Sequence, residues 1–145
     1  MSNQTYAETA ITPSATPSAV TTLVPALGRV MISTLFILAG LSKLAAPAMT
    51  IGYIQSVGLP LPSLAYGIAT FIEIVGGITL LLGYRTRIAA GVLFVFTLAT
   101  AVFFHNHFGD QNQFTHFFKN IAIAGGLLHV IAFGGGRVSI DGRRS

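Results

Sequence analysis

The residues best able to do chemistry are the few ionisable side chains inside or beside long apolar segments. Glu73 is the single acid in the apolar segment 64–83, and His129 lies inside the segment 118–133. Lys43 lies near the end of the segment 27–46, and Lys119 lies at the start of the segment 118–133. A charged side chain at the centre of a membrane helix costs roughly 2.5–3.5 kcal/mol on insertion scales, so such residues face a bundle interior and pair with one another. The sequence therefore predicts an interior polar site built on Glu73, with Lys43, Lys119 and His129 as its partners.

Two interpretations of Glu73 remain open at this point. The residue lies about nine positions into its segment, or ~13 Å at 1.5 Å per residue, which places it near the bilayer midplane. In one interpretation, Glu73 and a lysine form a buried pair that fixes the register of two helices. In the other, Glu73 carries a proton or binds a ligand, as midplane acids commonly do.

The remaining histidines do not predict a metal or haem site. His105, His107 and His116 lie near Asp110, but histidines two positions apart on a helix point to different faces, so no metal site is predicted. Bis-histidine haem needs two histidines at one depth, and only His129 lies near the midplane. The chain has no cysteine, which excludes disulfides, thiol redox chemistry and covalent haem attachment.

The elements that must position these residues are four apolar segments. Charged residues make up 8% of the 145 positions and mean hydropathy is +0.74, whereas a soluble domain carries roughly 25% charge. The segments, each close to the ~20 residues that span a bilayer as a helix, are 27–46, 64–83, 88–104 and 118–133. The sequence predicts an all-α integral membrane protein, a four-transmembrane-helix bundle in residues 26–136. A soluble bundle would lack the charge to cover its surface.

The flanking segments and the cations predict the orientation. Residues 1–25 are rich in Ser, Thr, Ala and Pro and are expected to form a flexible tail, and residues 137–145 form a second polar tail. With four crossings, both tails and the loop 84–87 share one side, which carries Arg29, Arg85, Arg87, Arg137, Arg143 and Arg144. The other side carries Lys43 and Lys119, so the positive-inside rule predicts that both termini are cytoplasmic. The net charge of +4 then reflects membrane topology rather than nucleic-acid binding.

Helical spacing gives the segments expected inward faces. Steps of three and four residues connect Arg29, Ser33, Phe36, Gly40 and Lys43 in the first, Thr70, Glu73, Gly77 and Leu80 in the second, and Lys119, Ala122, Gly126, His129 and Phe133 in the fourth. Similar Gly-Gly contexts recur at an offset of 49 residues in the second and fourth segments. This repeat suggests two parallel helical hairpins, and chance recurrence of Gly-Gly is the alternative.

Several short motifs together carry a family resemblance. They are Arg29, Phe36-Ile-Leu-Ala-Gly-Leu-Ser-Lys43, Gly58-Leu-Pro60, Glu73-Ile-Val-Gly-Gly-Ile-Thr-Leu-Leu-Leu-Gly83, Thr86-Arg87-Ile-Ala-Ala90, Phe104-His105, Phe118-Lys119-Asn120 and Gly136-Arg-Val-Ser-Ile-Asp141. In this combination, over about residues 27–141, the chain resembles the DoxX family of small bacterial membrane proteins. The resemblance implies a four-helix protein of the bacterial inner membrane. The positions that match the family pattern are Arg29, Lys43, Glu73, Arg87, His105, Lys119 and Asn120.

The resemblance also bears on function, because the family's name derives from small subunits of a thiosulfate:quinone oxidoreductase, and some members are linked to oxidative-stress and thiol-handling complexes. The leading hypothesis is an accessory subunit in quinone-linked redox or oxidative-stress metabolism. In it Glu73, Lys43 and Lys119 form the polar site, and His105, Asn120 and His129 contact a cofactor. Because the chain has no catalytic motif or evident electron carrier, a quinone or a protein partner would carry the electrons. The alternatives are a proton-coupled carrier or channel in which Glu73 titrates, and a non-catalytic scaffold.

Overall fold

The structure, a computed structural model, describes residues 18–144 of the chain. Within these residues the chain is all-helical, with α1 (Ala19–Ala45), α2 (Pro47–Ser56), α3 (Pro62–Leu82), α4 (Thr86–Phe104), α5 (Gln111–Phe133) and a 3-10 turn (Asp141–Arg143). The helices α1, α3, α4 and α5 are long and apolar enough to cross a membrane. The predicted four-helix architecture is therefore confirmed. We call the end where α1 begins and α5 ends the termini end, and the opposite end the α2 end.

The first helix begins earlier than the sequence predicted. α1 starts at Ala19 instead of near position 27, and the Ser18 side chain caps it by accepting a hydrogen bond from the Thr21 N–H at 3.2 Å. A serine cap satisfies one of the free amides of the first turn. Pro25 lies inside the helix, where its missing N–H interrupts the ladder only near the helix start. The last part of the predicted flexible tail is thus helical, and its residues 1–17 lie outside the described residues.

The fourth spanning helix also begins earlier than predicted. The sequence predicts that the fourth apolar segment begins at residue 118, but α5 starts at Gln111 and so includes Phe114, His116 and Phe117. The Asp110 carboxylate caps α5 by accepting hydrogen bonds from the amides of the next turn. This polar, aromatic first part of α5 resembles a loop in composition, so the cap was the only local sign of the helix. The connection that remains spans residues 105–110.

The segment between the first two spanning helices contains a helix of its own. α2 begins with Pro47 and packs against α3. After it, Gly58 and Leu61 adopt left-handed backbone conformations, and Pro62 opens α3. A proline suits the first turn of a helix because no carbonyl there awaits its missing N–H. Pro62 therefore marks the start of the second spanning helix.

The four spanning helices pack in two close pairs, α1 with α3 and α4 with α5. Glycines let α1 and α3 approach: a β-carbon at Gly40 would lie 2.5 Å from Cγ1 of Ile74, and one at Gly77 would lie 2.9 Å from Cγ1 of Ile37. Toward the termini end, Leu80, Leu93 and Leu127 are completely buried in one apolar cluster. Most other large apolar side chains point outward, as expected of helices that face lipid.

The described part of the C-terminal segment, residues 134–144, folds back on the termini end. The guanidinium of the buried Arg29 donates hydrogen bonds to the carbonyls of Gly135 and Val138. The Asp141 carboxylate accepts hydrogen bonds from the Arg85 and Thr86 amides at 2.9 and 2.7 Å and from the Thr86 hydroxyl at 2.7 Å. Hydrogen bonds from Thr86, first of all from its backbone, hold the pKa of Asp141 below its usual value. The tail docks because a buried guanidinium needs acceptors that its own helix lacks.

Candidate functional site

The centre of the candidate site is an ion pair between α1 and α3. The Lys43 ammonium lies 2.7 Å from Oε1 of Glu73. The Glu73 side chain is 7% exposed, whereas that of Lys43 is 26% exposed. Lys43 therefore reaches from the edge of the bundle to a carboxylate inside it. Among the described residues, this is the single ion pair between side chains.

The backbone around Glu73 departs from regular α-helix. Residues Ile72–Gly76 form a π-helical segment in the middle of α3, with Glu73 as its second residue. Such segments carry one extra residue in a turn and are frequent at functional sites. On the facing helix, Gly40 leaves no side chain between α1 and Glu73: a β-carbon there would lie 3.3 Å from Cβ of Glu73. The glycine and the π-helical segment together bring the carboxylate against α1 one turn from Lys43.

Two buried polar atoms at this site have no partner among the described residues. They are Oε2 of Glu73 and the hydroxyl oxygen of Thr70. Thr70 and Glu73 are three residues apart and both are buried, so they share the inward face of α3. Buried polar atoms are nearly always hydrogen-bonded in native proteins, and an exception indicates a water, an ion or a ligand. The carboxylate thus has one oxygen for Lys43 and one for another group.

A cavity of about 780 Å³ lies beside the ion pair, and we call it the Glu73 cavity. Its walls come from the α2-end halves of α1, α3, α4 and α5 and from α2 itself. Its lining is mainly apolar, with a few polar groups contributed by Lys43, Thr50, Tyr53, Glu73, Thr97, Thr100, His105 and Asn120. A mostly apolar cavity of this size with a few convergent polar groups is typical of small-molecule sites.

Further polar residues of the Glu73 cavity are held in place by neighbours. Nδ1 of His105 lies 2.8 Å from Oε1 of Gln113, in the first turn of α5. The Asn120 amide donates a hydrogen bond to the Thr100 hydroxyl at 3.3 Å, which joins α5 to α4. The Tyr53 ring packs on Phe104 with ring centroids 5.5 Å apart, so α2 closes over the cavity at the α2 end. These contacts fix the orientation of a histidine and an amide that face the cavity.

The cavity has exposed side chains in its lining and is closed toward the termini end. Met49, Ile68 and Phe103 line it and are 77%, 51% and 54% exposed on the outer surface of the bundle. In the other direction, the buried leucine cluster of α3, α4 and α5 follows within two turns of Glu73. The cavity is therefore accessible from outside the bundle between α2, α3 and α4, the helices that carry these three side chains.

The structure brings together four of the six predicted site residues. Lys43, Glu73, His105 and Asn120 all line the Glu73 cavity. Lys119 and His129 do not: both are exposed on the outer face of α5, and His129 contacts the Gly125 carbonyl and the Phe133 ring. The inward face predicted for this helix was therefore wrong, whereas the faces predicted for α1 and α3 are buried.

The error on α5 has a simple cause. The prediction followed small and ionisable residues at helical spacing, but the side that packs inward carries Asn120, Ile123, Ala124, Leu127 and Ile131. In a membrane helix both faces are apolar, so hydropathy does not distinguish the buried face from the lipid-facing one. Lys119 lies near the α2 end of its helix, where a lysine reaches the lipid–water boundary.

The histidines at the α2 end form a pair. The rings of His105 and His116 stack with centroids 5.1 Å apart. Among residues 18–144, no group of three or more histidine and acidic side chains converges in a way that could hold a metal ion. His105 lines the cavity and His116 is exposed, so the two stacked rings extend from the cavity lining to the protein surface.

Some residues of the site had no clear signal in the sequence. Thr70 was assigned to the inward face but not to the site, and Tyr53 and Gln113 were assigned to neither. A helical tyrosine in an interhelical segment and a glutamine eight positions from His105 reveal their roles only through the packing of α2 and α5. The α2 segment carries no charge, so a prediction based on ionisable side chains could not assign its residues to the site.

These features define the protein as a small four-helix membrane protein with a buried ion pair beside a lateral cavity. The chain belongs to the DoxX family: the DoxX family model matches residues 24–106. This match includes α1 to α4 and thus the ion pair, most of the cavity wall and His105, whereas Asn120 on α5 lies beyond it.

Curated relatives extend this similarity over most of the chain. The chain is 34% identical over 123 residues to the Inner membrane protein YphA of Escherichia coli (strain K12), covering 81% of this chain and 87% of that one. It is 35% identical over 113 residues to the Inner membrane protein YqjF of the same organism, covering 78% and 85%. It is also 43% identical over 74 residues to a Bacillus subtilis (strain 168) protein named "Putative oxidoreductase CatD", covering 51% and 53%. No solved structure matches the chain at a significant level.

Proposed function

We propose that this protein is an accessory subunit of a membrane-bound, quinone-linked redox system and that the Glu73 cavity binds the quinone. The observation that carries the proposal is the unpartnered Oε2 of Glu73 beside an apolar cavity of about 780 Å³. A quinone is an apolar molecule with two carbonyl oxygens on its head, and it moves within the bilayer. A cavity that is apolar, open to lipid and polar at a few points matches this chemistry.

The residues that would hold a quinone head are the donors of the cavity. The Lys43 ammonium can donate a hydrogen bond to a carbonyl oxygen, and the Asn120 amide also lines the cavity. Nδ1 of His105 donates to Oε1 of Gln113, so Nε2 of the neutral ring would accept a hydrogen bond from the hydroxyl group of a quinol. The carboxyl group of Glu73 can accept a hydrogen bond from a hydroxyl group or donate one when protonated. When bound, a quinone would supply two-electron, two-proton redox chemistry.

The electrons must come from another component, because the chain has no cysteine and no flavin motif. We propose a protein partner in the membrane or at its surface. The relative whose name calls it an oxidoreductase matches just over half of its own length, which supports a redox context without defining the reaction.

The proton-coupled carrier is less well supported by this conformation. A carrier must expose its titrating group to both sides of the membrane in turn. Between Glu73 and the termini end lie Leu80, Leu93 and Leu127, which have no exposed surface. Access to the acid is therefore one-sided, as expected of a binding subunit that takes its ligand from the lipid. A pure scaffold could use the Lys43–Glu73 pair to fix the register of α1 and α3, but it would have no need of the cavity beside it.

We further propose that the protein resides in the inner membrane with both termini in the cytoplasm. Two relatives are named inner membrane proteins. The termini end carries Arg85, Arg87, Arg137, Arg143 and Arg144, whereas Lys43 and Lys119 lie toward the α2 end. The positive-inside rule then places the termini in the cytoplasm. A reporter fused after Ser145 that is active only outside the cytoplasm would contradict this orientation.

The quinone proposal can be tested with purified full-length protein in a mild detergent. A short-chain quinone should raise the thermal unfolding midpoint, whereas the same alkyl chain on a benzene ring should not, because the carbonyl oxygens need the donors of the cavity. Glu73→Gln and Asn120→Leu should abolish most of this stabilisation. Lys119→Ala is the matched control for Asn120→Leu, since Lys119 is its neighbour in the chain but lies outside the cavity.

A second matched pair uses the histidines. His105→Gln should weaken quinone binding, and His129→Gln, which changes a histidine on the outer face of α5, should not. Equal stabilisation by the quinone and the benzene analogue would contradict the proposal, as would equal effects of the cavity and control substitutions. If the cavity substitutions and the control substitutions had equal effects, the quinone would be dissolving in the detergent around the protein rather than binding beside Glu73.

A further inference from the structure

A second recess lies at the termini end, far from the Glu73 cavity. It has a volume of about 520 Å³ and lies between the start of α4, the end of α5 and the folded-back C-terminal segment. We call it the arginine groove. Its lining is formed by Arg85, Thr86, Arg87, Ile88, Phe133, residues 134–136, Ser139, Asp141 and Gly142.

The arginine groove carries net positive charge. Among the described residues, the guanidinium groups of Arg85 and Arg87 have no acidic partner. The one acid in the lining, Asp141, accepts hydrogen bonds from the amides of Arg85 and Thr86. Its charge therefore fixes the start of α4 rather than neutralising the two side chains. Guanidinium groups without a carboxylate are typical ligands for phosphate, which they bind with two parallel hydrogen bonds.

Glycines keep the groove open beside Arg87. Gly134 and Gly136 have φ values of 77° and 71°, a conformation that other residues rarely adopt. A β-carbon at Gly134 would lie 3.5 Å from Nε of Arg87. The guanidinium group thus lies across a stretch of chain without side chains, and no residue from this stretch covers it.

An apolar wall completes the groove. Phe133 is 78% exposed and Ile88 is 59% exposed, and both line the same recess as the two arginines. They are the last residue of α5 and the third residue of α4, so the outer surfaces of these helices continue the wall along the bundle. A soluble anion would make no favourable contact with the apolar wall. A phospholipid, in contrast, has a phosphate that can contact the arginines and acyl chains that can contact the wall.

From this combination we propose that the arginine groove binds the phosphate of an anionic phospholipid. Arg85 and Arg87 hold the phosphate, and Phe133 and Ile88 contact the glycerol and the first acyl carbons. The site is independent of the quinone proposal, since it lies on the other side of the buried leucine cluster. Bound lipid would fasten α4, α5 and the C-terminal segment together at the membrane surface.

Thermal unfolding of the full-length protein in a nonionic detergent tests this site. The ligands to compare are short-chain phosphatidylglycerol, short-chain phosphatidylcholine and inorganic phosphate. We expect phosphatidylglycerol to raise the unfolding midpoint in a saturable way and the other two to have little effect. The double substitution Arg85→Gln and Arg87→Gln should weaken the apparent affinity for phosphatidylglycerol by about tenfold or more, because two charge-assisted contacts are lost.

The matched control is the double substitution Arg137→Gln and Arg143→Gln. It removes the same charge from exposed positions at the same end that do not line the groove. If both double variants weaken binding equally, the effect is general surface charge and the proposal is wrong. Equal stabilisation by phosphatidylcholine would overturn the selectivity for anionic lipid, and equal stabilisation by inorganic phosphate would overturn a lipid as the ligand.

A more conservative substitution, which disturbs the fold less than the double substitution does, provides a further test. Arg87→Lys preserves the charge but removes the planar, two-pronged donor, and it should show an intermediate affinity. Native mass spectrometry of the protein purified from membranes provides a second measurement. The wild type should retain more phosphatidylglycerol than Arg87→Lys does, and equal retention by the two proteins would contradict a specific role for the Arg87 guanidinium.

Discussion

Removal of the Lys43 ammonium gives the sharpest test of the ion pair. Lys43→Met keeps an unbranched apolar side chain of similar length but leaves Glu73 without a cation. The Glu73 side chain is 7% exposed, and its Oε2 already lacks a partner. Both carboxylate oxygens would then be buried without a hydrogen bond from a described residue. The variant should therefore be strongly destabilised.

The magnitude follows from the geometry. Two unit charges 2.7 Å apart attract by about 6 kcal/mol at an effective dielectric constant of 20. Part of this is offset by the cost of removing both ions from water, and Lys43 is 26% exposed, which weakens the pair further. Breaking a buried pair from one side costs about 3–5 kcal/mol. We expect the lower end of that range, about 3 kcal/mol, for Lys43→Met.

Glu73→Gln should cost less, about 1 kcal/mol, because the partly exposed lysine can turn toward the lipid–water boundary. The double variant should resemble Glu73→Gln, since the amide needs no counter-ion. The cycle then gives a coupling energy with a magnitude of about 3 kcal/mol. The free energies of unfolding can be measured by circular dichroism during a titration with sodium dodecyl sulfate in mixed micelles.

Ser42→Ala controls for substitutions at this end of α1, because Ser42 is exposed and adjacent to Lys43. The two single effects would be additive within about 0.5 kcal/mol if the pair did not couple α1 to α3. Such additivity would refute the reasoning. If Ser42→Ala lowered the free energy of unfolding as much as Lys43→Met does, the loss would come from the local helix structure and not from the ion pair.

Three further predictions concern the surroundings of the pair and the termini end. Gly40→Ala should destabilise the protein by about 1–3 kcal/mol, because its β-carbon would clash with α3; Gly28→Ala, which meets nothing within 4 Å, should be neutral or stabilising in the same unfolding titration. Thr70→Val should leave the protein as stable or more stable, because it removes an unpartnered buried hydroxyl; a clear loss of stability in the same unfolding titration would contradict this. Because the pKa of Asp141 is lowered, chiefly by the hydrogen bond from the Thr86 backbone, its contribution to stability is complete above about pH 4 and is lost as the pH falls through the lowered pKa. Thermal melts from pH 2 to 7 should therefore show a smaller acid-dependent loss in Asp141→Asn than in the wild type, and parallel curves would rule out this contribution.

The sequence could predict the membrane fold because lipid imposes simple rules on a chain. Each spanning helix is apolar over roughly the bilayer thickness, so the four segments could be found from composition alone. The short turn after α3 also followed from the sequence, since three residues between α3 and α4 leave only an antiparallel arrangement. The helix starts at Ala19 and Gln111 were missed because their first turns are polar, and a capping residue is a weaker signal than a long apolar run.

The sequence also determined the most unusual feature of the interior. A single acid in an apolar segment has to face inward, and a lysine on the inward face of the preceding helix is its natural partner. This reasoning paired Glu73 with Lys43 correctly. For Lys119 and His129 the same reasoning failed, because a charge near a helix end can turn to the membrane surface, and a histidine can contact its own helix, as His129 contacts the Gly125 carbonyl.

Only the tertiary structure decided which groups share a cavity with the pair. The cavity lies between α2 and the α2-end halves of the four spanning helices. Gly40 allows α1 to pack close to α3 beside it. Both arrangements depend on contacts between segments far apart in the chain. Likewise, the docking of Asp141 on the start of α4 joins positions 55 residues apart. Hydropathy determines that a segment is in the membrane, but in lipid every face of a helix is apolar. Which face turns inward is therefore decided by steric fit and hydrogen bonds between helices.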